Sequence, residues 1–214
     1  MIPVTLAPEP ANFDKRVRQP GRRFLERHRV KQGDPPPANF SWRRYWSRAI
    51  PMLHASYHDI CAYLAVYLNP DVDGSGNREG SVEHFVPKAQ DAWLAYEWDN
   101  YLLADRRVNS TRGQEKLTCP YDLDFYPFEL MLDTGMIAVS EDLTFEQEDE
   151  AYEILDALSL DKEIYDIERA EYYARYSDRS REDALTNAEI ARYAPFIWYE
   201  IQRQGLVIDE EQSG

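Results

Sequence analysis

The sequence predicts an α+β chain, in which two short strands and a helix are embedded in a mostly helical single domain. Three observations predict it. Residues 81–113 read as two extended pieces, around "VEHF" and "DNYLLA", followed by a helical "RRVNSTRG". Beyond residue 144, apolar residues recur at helical spacing behind two capping boxes. The chain has 214 residues, 43% of them hydrophobic and 13% aromatic, enough to bury one sizeable core.

The elements follow in order. Residues 1–20 are proline-rich ("APEPANF", "VRQPG") and expected to be extended. A short basic helix over "GRRFLERHRVKQG" comes next, with Gly33 as its stop and "DPPPANF" as its breaker. Ser41 is placed to cap a helix whose Trp42, Tyr45, Trp46, Ile50, Leu53 and Tyr57 share one face, and Pro51 should kink or divide it. "ICAYLAVYL" reads as a helix end or as a buried strand. The polar loop "NPDVDGSGNREG" hints at a calcium loop through Asp71, Asp73, Ser75 and Gly76. The bidentate glutamate of such a loop would fall on Val82, so an ordinary turn is the better account. After the 81–113 segment, Thr144 with Gln147 and Thr186 with Glu189 fit the capping box. Apolar faces are expected from Tyr152, Leu155 and Leu158, from Ile164, Ile167 and Tyr173, and from Ile190, Tyr193, Ile197 and Ile201. The expected organisation is a basic arm over 1–40, a core over 41–139 and a helical part over 140–214 packed on that core.

The formal charge is −15, and it is uneven. Residues 1–50 hold eleven Lys/Arg against four Asp/Glu, a balance of +7 that leaves −22 on residues 51–214. Nucleic-acid enzymes usually carry a positive footprint. The split therefore implies a basic arm on an acidic body, or acidic helices that are merely solvated. If the arm grips nucleic acid, Arg22, Arg23, Arg27, Arg43 and Arg44 belong on one side with the chemistry; the rival is an arm that wraps its own acidic body. Two cysteines, Cys61 and Cys119, form no spaced framework, which suits a reduced, cytoplasmic setting. The start "MIPVTLAPEP" lacks the basic and apolar regions of a signal peptide, and "ICAYLAVYL" is too short to span a bilayer.

The chemistry concentrates in "SVEHFVPKAQDAWLAYEWDNYLLADRRVNSTRG", which orders Glu83, His84, Asn100 and Asn109. Metal-assisted phosphodiester cleavage needs such parts: a neutral histidine to take a proton from water, oxygen ligands for a divalent cation, and a side chain that orients the histidine. Glu83 and His84 are adjacent on the expected strand, so their side chains point to opposite faces unless a strand end or bulge brings both to one cavity. Taken singly, a His after Glu is most often a surface residue and an Asn before a helix a cap. Their order and local context together point to chemistry. The aromatics Trp93, Tyr96, Trp98 and Tyr101 read as core, with Trp93 open to a base-stacking role. His54 and His58 have metal-ligand spacing but no partner acid at a matching offset, and read as ordinary helix residues.

The pattern "VEHFVPK…AYEWDNYLLA..R.VNS.RG" closely resembles the HNH endonucleases of the ββα-metal fold. It is most similar to a subgroup some of whose members serve bacterial anti-phage defence, including the HNH component of Septu-type systems. The resemblance is dense over residues 56–113 and thinner towards both ends. It implies that Glu83 and Asn109 are metal ligands, that His84 is the general base and that Asn100 fixes the histidine ring. Arg112 stands where a Lys is usual and is implied to contact phosphate; Arg107, Lys88, Arg22 and Arg23 are the further expected nucleic-acid contacts. The implied cofactor is Mg2+ or Mn2+. Many members of the family bind a structural zinc through two C-x-x-C pairs, whose positions here hold Cys61, Leu64, Asp105 and Val108. One thiol of four cannot make a tetrahedral thiolate site, so no structural zinc is expected. Leu64 and Val108 would pack in its place, with Asp105 at the surface or paired with Arg106 or Arg107. Two functions remain open: a metal-dependent endonuclease, of DNA more than RNA, or an inactive HNH-fold subunit docking on a larger partner such as a defence ATPase.

Overall fold

The computed structural model describes residues 1–71, 79–113 and 117–209, and it mixes helix and strand. Asp73, Ser75 and Gly76 of the calcium-like loop lie outside the described residues. The chain divides into two compact units, one comprising Thr5–Cys61 with Leu68–Cys119, the other Met1–Val4 and Ala62–Tyr67 with Pro120–Gly214. Among the described residues no helix is long and apolar enough to cross a membrane.

In the first unit, a π-helical stretch, Asp14–Arg18, runs directly into α1 (Gln19–Arg27). The expected extended start is thus helical from residue 14. Phe13, Val17, Phe24 and Leu25 are buried, an apolar stripe at helical spacing that outweighs Pro20, which falls in the first turn of α1, where its missing N–H is harmless. Phe13 meets the rings of Trp98 and Tyr101 edge-on at 5.3 and 5.6 Å. Gly21 allows α1 to lie against Tyr96: a Cβ there would overlap the tyrosine ring. The helix ends at Arg27, short of Gly33, and the His28 ring closes it by donating from Nδ1 to Phe24 O at 2.8 Å.

Residues 41–44 are not helical, and Ser41 caps nothing. A 3-10 turn, Tyr45–Ala49, leads into α2 (Ile50–Ser56), with Pro51 in its first turn, so the proline divides the segment. "ICAYLAVYL" is neither helix nor regular strand but a series of turns, buried from Cys61 to Val66. β1 (Gly80–His84) pairs antiparallel with β2 (Tyr101–Asp105), Gly80 opposite Asp105 and His84 opposite Tyr101. α3 (Arg106–Thr111) starts where β2 stops. Asp105 caps it, accepting from Arg107 N at 2.6 Å. Between the strands lie two 3-10 turns, Trp93–Tyr96 and Trp98–Asn100. Tyr96, Trp98 and Tyr101 are core, and the half-buried Trp93 donates its indole N–H to Val30 O at 3.0 Å.

In the second unit, the hairpin of β3 (Phe128–Met131) and β4 (Met136–Val139) is followed by α4 (Phe145–Leu158), α5 (Glu163–Ser177), α6 (Asn187–Tyr193) and α7 (Pro195–Arg203). Both capping boxes form, at Thr144 and at Thr186. The buried faces are partly rotated from those expected, although α4 keeps Leu158 inside as expected. α4 buries Ala151, Ile154 and Leu158 and exposes Tyr152; α5 buries Tyr165, Arg169 and Tyr176 and exposes Ile164 and Ile167. Arg169 explains the second rotation. Its guanidinium donates to Gly135 O at 2.7 Å and Leu160 O at 3.0 Å and pairs with Asp166, so it fastens the helix to the hairpin turn. A hydropathy pattern assigns an arginine to the outside and cannot anticipate this. α6 and α7 bury Ile190, Ile197 and Ile201 as expected.

Candidate functional site

The first unit contains an open pocket of ≈ 880 Å³. Glu83, His84, Asn109 and Arg112 border it, as do Trp42, Arg44, Trp46 and Lys88. Glu83 and His84, neighbours at the end of β1, both border it, as do Ser81 and Val82 before them.

His84 is 7% exposed and sits edge-on to Trp46 and Tyr101, at centroid distances of 5.1 and 5.3 Å. Its Nε2 lies 3.2 Å from Ala95 O. A carbonyl can only accept, so Nε2 carries the proton and Nδ1 keeps the lone pair. Burial, with the charge of Lys88 adding to it, lowers the imidazole from its ordinary 6.5 to about 3. The ring is therefore neutral at neutral pH.

Asn100 does not hold this ring directly. Its Oδ1 accepts from Val86 N at 2.6 Å, and its Nδ2 donates to Val86 O at 3.1 Å and Leu94 O at 3.0 Å. The atom that fixes the ring is the Ala95 carbonyl, which also accepts from Tyr101 Oη at 2.8 Å. Asn100 pins the loop at Leu94, one residue before that carbonyl, and so acts on the histidine through the backbone.

Arg112 also differs from its expected role. It follows α3 directly and is buried; Nη1 pairs with the Glu83 carboxylate and donates to His84 O at 3.2 Å, and Nη2 donates to Phe85 O at 2.8 Å. Its guanidinium lies over the Phe85 ring, and its Nε is buried without a hydrogen-bond partner among the described residues. The side chain is a clamp across the end of β1 rather than a free phosphate contact. Glu83 is itself 5% exposed; burial pushes its carboxyl up, with Arg112 and Lys88 pulling the other way.

Asn109 donates from Nδ2 to Ser81 Oγ at 2.9 Å and Val82 O at 3.2 Å, an orientation that leaves Oδ1 as its remaining acceptor. Among the described residues no three His, Cys, Asp or Glu side chains cluster as a metal site. The pocket instead offers one carboxylate, at Glu83, and one amide oxygen, at Asn109. Two hard oxygens suit Mg2+ or Mn2+, which keep several waters and share substrate phosphates. The donor set thus fits such an ion, with Arg112 holding the Glu83 carboxylate in place.

Of the positions matched to zinc cysteines, Cys61, Leu64, Asp105 and Val108 are all buried. Asp105 N lies 3.3 Å from Cys61 Sγ, while the Asp105 carboxylate takes Arg107 Nη2 at 2.7 Å. Asp105 is therefore interior rather than superficial, because capping α3 draws it in, and its partner is Arg107. His54 corrects a second expectation. It is buried and has an acid after all, with Nδ1 2.9 Å from Asp59 Oδ1; the turn that ends α2 brings Asp59 back.

The remaining basic residues part company. Lys88 borders the pocket with its ammonium 5.7 Å from the Trp46 ring centroid. Arg44 borders it and is exposed. Arg22 Nη2 donates to Glu97 at 2.7 Å, joined there by Arg18 Nε at 2.7 Å. Arg23 donates to Gln19 Oε1 at 3.1 Å and borders a separate cleft with Arg27 and Tyr45. Trp42 and Trp46 were not foreseen as pocket residues; the interleaved "WRRYW" is the signal that could have marked them. Compared with known protein families, curated proteins and solved structures, the chain matches none.

Proposed function

We propose that the chain is a metal-dependent endonuclease of the HNH type, hydrolysing phosphodiester bonds, with DNA the preferred substrate and anti-phage defence the setting that the sequence resemblance suggests. One observation carries the reading. Glu83, His84 and Asn109 border a single pocket whose other charged residues, Arg44, Lys88 and Arg112, are all cationic. On a chain of net charge −15, that local excess of positive charge marks an anion site. His84 Nδ1 takes the proton of the attacking water, its ring held by Ala95 O. Burial keeps the ring neutral; an incoming phosphate, being negative, raises its basicity towards a useful range. Glu83 and Asn109 Oδ1 would hold the Mg2+ or Mn2+. When bound, that ion stabilises negative charge on the reacting phosphate and leaving oxygen. Arg112 holds the Glu83 carboxylate, and Lys88 offers a charge to phosphate.

A second reading, a docking subunit, has its own support. Phe145 and Tyr152 on the acidic α4, and Ile164 and Ile167 on the acidic α5, are 51–72% exposed, apolar groups open to a partner with basic and apolar groups. The test is incubation of the purified chain with plasmid and Mg2+ or Mn2+, beside His84→Gln and an EDTA control. Nicking that needs both the ion and His84 supports the nuclease; equal nicking by the variant, or none by either, overturns it in favour of the docking subunit.

A further inference from the structure

The pocket has an aromatic and cationic side that hydrolysis of a phosphate does not require. Trp42 is half-buried and borders the pocket, in T-shaped contact with Phe40, Trp46 and Tyr96 at centroid distances of 5.0, 5.8 and 6.3 Å. Arg44, two residues on, is exposed at the same pocket and makes no ion pair or side-chain hydrogen bond among the described residues. Glu83 and His84 are only 5% and 7% exposed. A scissile phosphate must therefore descend to them, which a strand with unpaired, splayed bases does easily and a stacked duplex does only by distortion. An aromatic face beside basic groups is how proteins hold single strands: the ring stacks a base and the cations follow the backbone.

We propose that Trp42 is a stacking platform for an unpaired nucleobase and that Arg44 holds an adjacent phosphate, so the pocket takes single-stranded nucleic acid or a locally opened duplex. The inference rests on the nuclease reading for its substrate class but not on catalysis. It assigns Trp42 a binding role, not a chemical one. Its T-shaped contacts with Phe40, Trp46 and Tyr96 restrain the ring before ligand arrives, which lowers the entropic cost of stacking.

The test is binding, measured by fluorescence anisotropy on the His84→Gln chain with EDTA present, so that no cleavage occurs. The probes are a labelled single-stranded DNA, an RNA of the same sequence and the matching DNA duplex. Single strands should bind more tightly than the duplex, and the DNA and RNA arms decide which sugar is preferred. Trp42→Ala should weaken single-strand binding ~5- to 150-fold, the range found for losing one base–aromatic stack, whereas Trp42→Phe should retain most of it. Arg44→Ala, an exposed substitution without risk to the fold, should reduce the slope of log affinity against log salt by about one contact. Duplex binding as tight as single-strand binding, or Trp42→Ala and Arg44→Ala chains that bind as the parent does, would overturn the proposal. If the parent chain binds single strands through Trp42 yet cuts nothing, the platform stands and the nuclease reading falls. If it cuts through His84 while Trp42→Ala changes no affinity, the platform alone falls.

Discussion

Replacing Arg112 by Leu isolates the interaction on which the pocket depends. The side chains of Glu83 and Arg112 are 7% and 3% exposed, so their charges face each other with little water between them. Removing only the cation leaves a buried carboxylate unpaired, a loss of ~3–5 kcal/mol for breaking a buried pair. It also strips the donors from His84 O and Phe85 O. Replacing both partners, as Glu83→Met with Arg112→Leu, removes the orphaned charge and should restore at least ~2 kcal/mol of that loss, since apolar substitutes of similar volume often match a buried pair. Acidity supplies the sign check. Without Arg112 the Glu83 carboxyl rises further above its ordinary value, because burial is then opposed only by Lys88 and the His84 backbone. A carboxyl raised on folding contributes stability at low pH that is lost as pH rises, so the Arg112→Leu deficit should be smallest near pH 5 and largest at neutral pH. Urea unfolding followed by tryptophan fluorescence measures this well, because Trp42, Trp46, Trp93 and Trp98 all lie in the unit that carries the pair. A deficit below ~1 kcal/mol at pH 7, or one that is unchanged at pH 5, or single costs that simply add, would refute the reasoning.

Three further outcomes are expected. Metal analysis of protein purified without chelator should find well under one zinc per chain, and EDTA should stop cleavage while leaving the circular dichroism unchanged; stoichiometric zinc, or unfolding by EDTA, would contradict the reading of Cys61, Leu64, Asp105 and Val108. In the metal-free chain, His84 should withdraw stability as pH falls from its unfolded value of 6.5 towards about 3, since only the unfolded state takes up the proton in that window. The stability difference between the parent and His84→Gln should therefore shift by ~2 kcal/mol between pH 7 and pH 5, at ~1.4 kcal/mol per unit, and equal differences at both would contradict the buried ring. Deleting residues 1–33 should lower the melting temperature as well as nucleic-acid affinity, because Phe13, Val17, Phe24 and Leu25 are core and Arg18 and Arg22 bind Glu97; a deletion that melts like the parent would show that the segment is a free arm.

What the sequence determined by itself is local. Two extended pieces and a following helix were legible in residues 81–113 because extended and helical patterning acts within a few residues. Both capping boxes were legible for the same reason. The identity of Glu83, His84 and Asn109 as pocket residues was legible in their order and context. Only tertiary structure decided the partners. Arg112, which the resemblance implies contacts phosphate, also locks Glu83, because two side chains 29 residues apart meet only once β1 pairs with β2 and α3 folds back beside them. Asn100, which the resemblance implies fixes the histidine ring, bonds the backbone at Val86 and at Leu94, the residue before the Ala95 carbonyl that meets His84. α5 turned its expected apolar face outwards because Arg169, charged and therefore expected outside, satisfies two carbonyls inside. In each case the deciding energy is the desolvation of a polar group, which is favourable or ruinous according to a partner that lies far away in sequence.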